Sequence, residues 1–145
     1  MQPPKIKTIA YWFTTGLLAL DLLAGGAASL LHPAEVLSSI QHLGYPVYFA
    51  SILGFWKLLG SIALVVPGLP VLKEWAYAGI CFDLTGAAVS HAASGDDASK
   101  VAAPLVFAVL AAASYLLRPQ SRTVLAFTSL DATEAEGEPR AHAAS

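Results

Sequence analysis

Three charged residues interrupt otherwise apolar stretches of this chain: Asp21, Lys57 and Asp83. Asp21 lies twelve residues from Ile9 and ten from Leu31. Lys57 lies nine residues from both Tyr48 and Val66. Asp83 lies eight residues from both Trp75 and His91. If each stretch crosses a bilayer, all three charges stand near the midplane. A lone charge at that depth costs about 3 kcal/mol on insertion scales. Three at matching depth point to pairing, with the Lys57 ammonium between two carboxylates and one proton shared. Such a cluster binds a polar headgroup, relays protons, or fixes helix order and register. The residue pattern leaves these readings open.

Two histidines, His32 and His91, stand at the far ends of the stretches that hold the aspartates. His42, Asp96 and Asp97 are close in sequence to those ends. Residues of this kind could cap an outward-facing pocket and titrate in the physiological range. No HxxxH spacing supports a metal, and no histidine pair at matched depth supports a b-type haem, so no metal is expected.

Other chemistry is missing from the sequence. GxGxxG, the P-loop, HExxH and GxSxG are all absent, and no Ser–His–Asp set is placed for nucleophilic catalysis. A self-contained enzyme is not expected. The single cysteine, Cys81, excludes an internal disulfide and a CxxC pair. It reads as a small hydrophobe packed within a helix.

The elements that position the charges follow from composition. Only 12% of the 145 residues are charged, against roughly 25% in soluble domains, and the mean hydropathy is +0.61. There are too few charges to give a soluble domain its skin, and no Lys/Arg cluster suits nucleic acid. About 20 apolar residues cross a bilayer. Four segments qualify: 9–31, 48–66, 75–91 and 101–117. The expected fold is all-α, an integral membrane four-helix bundle over residues 1–118. A polar, acidic tail over 119–145 is expected to be disordered, with a short apolar stretch at Val124–Phe127.

Breakers separate the spans: His32-Pro33, Pro67-Gly68-Leu69-Pro70, Ser94-Gly95-Asp96-Asp97 and Arg118-Pro119. Pro33 opens a short amphipathic helix suited to the membrane surface. Lys5, Lys7, Lys73, Arg118 and Arg122 all fall on one side of an even number of spans, and only Lys100 on the other. Both termini are therefore expected in the cytoplasm. Tyr11, Trp12, Trp75, Tyr77 and Tyr115 read as an inner aromatic belt.

Helical spacing puts Asp21 with Gly25, Lys57 with Gly54, Gly60 and Ser61, and Asp83 with Gly79 and Gly86. Small residues allow close helix approach in lipid, so these faces are expected to point inward. The Ala-rich fourth span reads as a packing wall. Asp21-Leu22 with Gly25-Gly26-Ala27-Ala28 is echoed by Asp83-Leu84 with Gly86-Ala87-Ala88. Two hairpins related by a parallel repeat would produce that echo.

The stretch Tyr48-Phe49-Ala50-Ser51-Ile52-Leu53-Gly54-Phe55-Trp56-Lys57-Leu58-Leu59-Gly60 resembles the second helix of the DoxX-like family. Pro67-Gly68-Leu69-Pro70, Leu72-Lys73-Glu74-Trp75-Ala76-Tyr77-Ala78-Gly79 and Phe82-Asp83-Leu84-Thr85-Gly86 continue the likeness to Ser90-His91. The resemblance covers roughly residues 8–118. It implies a four-helix bundle in the bacterial inner membrane. It also implies a link to membrane oxidoreductase systems, since the family is named after a subunit associated with thiosulfate:quinone oxidoreduction. Other relatives look like assembly helpers. The family motif carries over onto Lys57, Asp83 and His91 without assigning a catalytic role.

Three functions follow as expectations. The first is an accessory subunit holding a quinone-like molecule for an oxidoreductase partner. The second is a small proton or solute transporter, with oligomerisation supplying the room. The third is a scaffold for another membrane protein.

Overall fold

The computed structural model describes residues 5–119, and these form five α-helices and no strand. α1 spans Lys5–Leu31, α2 Ala34–His42, α3 Val47–Val65, α4 Pro70–Ala93 and α5 Ala98–Leu117. The expected tail, including Arg122 and the Val124–Phe127 stretch, lies outside the described residues.

Three helices, α1, α3 and α5, are long and apolar enough to cross a membrane. At 1.5 Å per residue, α4 is also long enough, but Lys73, Glu74, Asp83 and His91 dilute its apolar character. It starts at Pro70, five residues before the expected Trp75, because proline is tolerated at the first position of a helix. α1 likewise starts earlier than Ile9 and carries Lys5 and Lys7 in its first turn.

Packing is uneven around the four long helices. α1 lies tightly along α3, and α4 tightly along α5. These two pairs face each other across a seam, where α1 meets α5 and, more loosely, α3 meets α4.

Glycine explains the first tight pair. A Cβ added to Gly54 would stand 2.8 Å from the Gly26 carbonyl oxygen, and one added to Gly26 would stand 3.0 Å from the Gly54 oxygen. Backbones approach this closely only where side chains are absent. About two turns along, the Ser61 hydroxyl donates to the Ala19 carbonyl at 2.9 Å.

Burial along α1 and α4 repeats. Tyr11, Thr15, Leu18, Leu22 and Gly26 are buried on α1; Lys73, Tyr77, Ile80, Leu84 and Ala88 are buried on α4. The two sets pair off in order at one constant spacing, and Ala19, also buried on α1, stands outside it because its counterpart Cys81 is exposed. That spacing also superimposes Asp21 on Asp83. The echo in the sequence is thus an echo in burial, and the two tight pairs are its hairpins.

The seam is closed by apolar and polar contacts together. Leu18, Leu22, Leu64, Tyr77, Ile80, Leu84 and Ala111 form one core cluster. Beside it, Thr15 and Ser114 share a hydrogen bond of 2.7 Å, and Tyr77 Oη meets the same Ser114 oxygen at 2.7 Å. Thr15 and Ser114 are fully buried. One hydroxyl therefore ties α1, α4 and α5. Ser114→Ala is expected to remove the hydroxyl that Thr15 and Tyr77 both meet and cost about 1–3 kcal/mol, readable as a lowered unfolding midpoint in mixed detergent micelles. α5 accordingly does more than wall the bundle.

Several expectations need correction. Lys73 is not a loop charge. It is in the first turn of α4, 1% exposed, where Nζ donates to the carbonyls of Ala63 at 2.5 Å, Leu64 at 3.1 Å and Val66. A cation there satisfies the orphan carbonyls at the end of α3. Arg118 is also covered. It pairs with Glu74, and its guanidinium lies 4.7 Å from the Tyr115 ring centroid and 5.8 Å from that of Tyr77. Tyr11 and Tyr77 are core residues, not belt residues. Cys81 is exposed on the surface of α4. Gly79 and Gly86 face open space, so the small-residue face of α4 does not point inward. Larger residues fill the seam there, one step round the helix.

Candidate functional site

The structure brings two of the three mid-helix charges into contact. Lys57 Nζ, from α3, lies 3.3 Å from Asp83 Oδ2 on α4. The side chains remain 27% and 18% exposed, so the pair is reached from outside the core. The Lys57 side chain passes over Gly25 of α1, whose missing Cβ leaves it room at 4.0 Å. A methyl group at position 25 would only touch the Lys57 side chain at van der Waals distance.

Asp21 departs from the expected triad. It feels both Lys57 and Asp83 electrostatically, but makes no ion pair or hydrogen bond among the described residues. The expectation of an ammonium shared between two carboxylates holds for Asp83 alone. The reason is rotational: Asp21 lies toward α5, and Lys57 leans toward α4.

A cavity of about 580 Å³ lies between α3 and α4, with the ion pair in its wall. It runs from the level of Lys57 and Asp83 toward the α3–α4 reversal, reaching Leu69 and Leu72. Apart from the pair its lining is apolar, with Trp56 and Trp75 at its sides. Both indoles are largely exposed. The cavity exists because α3 and α4 pack more loosely than the other side-by-side pairs of long helices. Its size lies within the roughly 300–1,000 Å³ range of small-molecule sites.

What this arrangement can do is specific. An ammonium donates hydrogen bonds and a carboxylate accepts them. A bound polar group offering both an acceptor and a donor is served by the pair without leaving either charge bare. Sequence reasoning found Lys57 and Asp83 from their depth. It missed the cavity because a gap between helices leaves no trace in spacing.

The histidines divide. His91 Nδ1 lies 2.7 Å from Asp96 Oδ2, while His42 Nε2 and Lys100 Nζ reach Asp96 Oδ1 at 3.0 and 3.1 Å. Asp96 thus gathers α2, α4 and α5 at one end of the molecule. His32 is not part of that group. It ends α1 with a left-handed φ of 51° and shares a 2.9 Å hydrogen bond with Ser51. The two histidines expected to act as one cap serve separate contacts. Among the described residues no cluster suited to a metal ion forms.

His91 beside Asp96, then Lys100 and His42, hold its carboxyl well below the usual carboxylate range. A lowered value means this contribution is present above the unfolded-state value of about 3.9. It is lost as pH falls below that toward the folded value. The α2 contact through Asp96 is therefore expected to persist down to about pH 4 and to loosen below it. Hydrogen exchange over residues 34–42 checks this, and Asp96→Asn is expected to show the loosened rate at neutral pH.

The profile of the DoxX-like family matches residues 13–114, which include Asp21, Lys57, Asp83 and His91. The chain belongs to the DoxX-like family. No curated protein and no solved structure matches it. The match covers α1 through most of α5, so the seam, the cavity and the ion pair all lie within the family region. With three helices apolar enough to span a bilayer, this DoxX-like chain is a membrane protein.

Proposed function

We propose that this DoxX-like protein is a binding subunit that holds a lipid-soluble, quinone-like molecule in the α3–α4 cavity. The observation that carries this reading is the pairing of an apolar lateral cavity with one reachable ion pair at mid-helix depth. A quinone carbonyl accepts from the Lys57 ammonium, and a quinol hydroxyl donates to the Asp83 carboxylate. An apolar tail follows the Trp56–Trp75 wall into lipid. In this reading the electrons are exchanged with a partner oxidoreductase.

The same reading includes four membrane spans, α1, α3, α4 and α5, with α2 at the outer surface. The termini face the cytoplasm of a bacterial inner membrane, by the distribution of Lys and Arg. α4 is carried as the least apolar span because Asp83 is paired and Lys73 satisfies backbone carbonyls.

Decylubiquinone binding to the full chain in nanodiscs tests the reading. Saturable binding that is lost in Lys57→Ala, with the helical circular dichroism retained, supports it. Binding unchanged by that substitution overturns it. Binding absent from the unaltered protein leaves the ion pair as a pin between α3 and α4 and favours the scaffold reading.

A further inference from the structure

A second opening lies across the seam from the first. The α1–α5 groove, about 590 Å³ and more open, is lined on α1 by Leu17, Leu20 and Ala24 and on α5 by Val106, Val109 and Ala113, with Asp21 in its wall. The repeat in burial makes it the counterpart of the α3–α4 cavity. α1 stands where α4 stands, and Asp21 takes the place of Asp83.

One component is missing. In the α3–α4 cavity the chain supplies its own cation, Lys57. On α5 the described residues contain a single basic side chain, Lys100, which lies at the start of the helix and is held by Asp96. Lys57 is already 3.3 Å from Asp83 and reaches Asp21 only through space. The Asp21 carboxylate thus faces a mid-membrane groove without a contacting partner among the described residues. A carboxylate at that depth is stabilised by a cation brought from outside.

The shape of the groove points to the carrier. Its walls repeat at helical spacing on both sides over about two turns, which suits a third helix laid along them. Val109, Val106 and Leu20 are 70%, 65% and 62% exposed. α5 is the least covered of the three candidate spans. A second copy of this chain does not fit. It would bring Asp21 against Asp21, and its only mid-depth cation among the described residues is paired with its own Asp83.

We propose that the α1–α5 groove docks a transmembrane helix of a different protein, one that carries a lysine or arginine near its middle and pairs it with Asp21. This docking uses a face opposite the α3–α4 cavity, so its success or failure is independent of the quinone reading.

Designed peptides test it. Leucine-rich transmembrane helices of about 20 residues, with Lys, Leu or Glu at the centre, are reconstituted with the full chain in phosphatidylcholine vesicles. Association is read by energy transfer. The Lys-centred helix is expected to bind about tenfold more tightly than the Leu-centred one, and the Glu-centred helix no better than Leu. Asp21→Asn is expected to bring the Lys-to-Leu ratio to one. Val109→Trp, which fills the groove and keeps Asp21, is expected to remove the preference as well. Circular dichroism confirms that both variants keep their helices.

Equal binding of the Lys- and Leu-centred helices overturns the proposal. So does a preference that survives Asp21→Asn or Val109→Trp. Dodecylamine binding at Asp21 without any binding of the Lys-centred helix also overturns it, by showing a site for a small lipophilic amine.

Discussion

Replacing Lys57 with alanine is expected to destabilise the protein by about 3 kcal/mol. The cause is what remains behind. Asp83 keeps its carboxylate at mid-helix depth, loses the ammonium 3.3 Å away and still feels the like charge of Asp21 through space. Reversible unfolding in mixed dodecylmaltoside and dodecylsulfate micelles measures the loss. The double variant Lys57→Met with Asp83→Leu removes both charges and keeps apolar volume. It is expected to return to within about 1 kcal/mol of the unaltered protein. Decylubiquinone binding is expected to stay lost in the double variant. Stability and binding then separate. Recovery of both together would show the pair to be a structural pin and would sink the binding reading. No recovery of stability would show that the pair stabilises the bundle beyond offsetting its own burial.

Gly54→Ala is the second large effect. The added Cβ would meet the Gly26 carbonyl oxygen at 2.8 Å and side-chain atoms of Leu30 and Ser29 at 3.0 Å. A carbonyl in the middle of a helix cannot step aside, so α1 and α3 must part. Overpacking of this kind costs about 1–3 kcal/mol. The parting also draws Ser61 from its hydrogen bond to Ala19. The same micelle unfolding measures the loss, and a fluorophore pair across α1 and α3 reports the wider spacing. Gly79→Ala is the matched control. Nothing lies within 4 Å of its added Cβ, so stability is expected to hold or rise by the helix propensity difference of about 1 kcal/mol. A loss at Gly79 equal to that at Gly54 would contradict the crossing as described.

These two glycines show why the sequence reads unevenly. Both share a helix face with a charged residue, and the small-residue rule marks both as packing positions. It succeeds at Gly54 because α1 supplies Gly26 opposite. It fails at Gly79 because α3 and α4 diverge at that level and leave the cavity. Spacing along one helix cannot report the distance to the next.

The histidines make the same point. His32 and His91 end helices of the same direction and look equivalent in the chain. One caps α1 and bonds Ser51, while the other joins His42 and Lys100 on Asp96. The turn that presents Asp96 decides the difference. Tyr77, read as interfacial, and Lys73, read as a loop charge, are buried because hydroxyl and carbonyl partners wait for them across the seam.

The sequence by itself determined that the chain is helical and membrane-embedded, since no soluble core tolerates so few charges, and that it belongs with the DoxX-like family. It placed Asp21, Lys57 and Asp83 near the middles of their helices, because rise per residue converts position into height. Tertiary structure alone decided which of them meet. Depth is a property of one helix, whereas pairing depends on how helices rotate and how closely they pack. Those are set by Gly26 against Gly54, by the Thr15–Ser114–Tyr77 hydroxyls and by the bulk of Leu18, Leu22 and Ile80 across the seam.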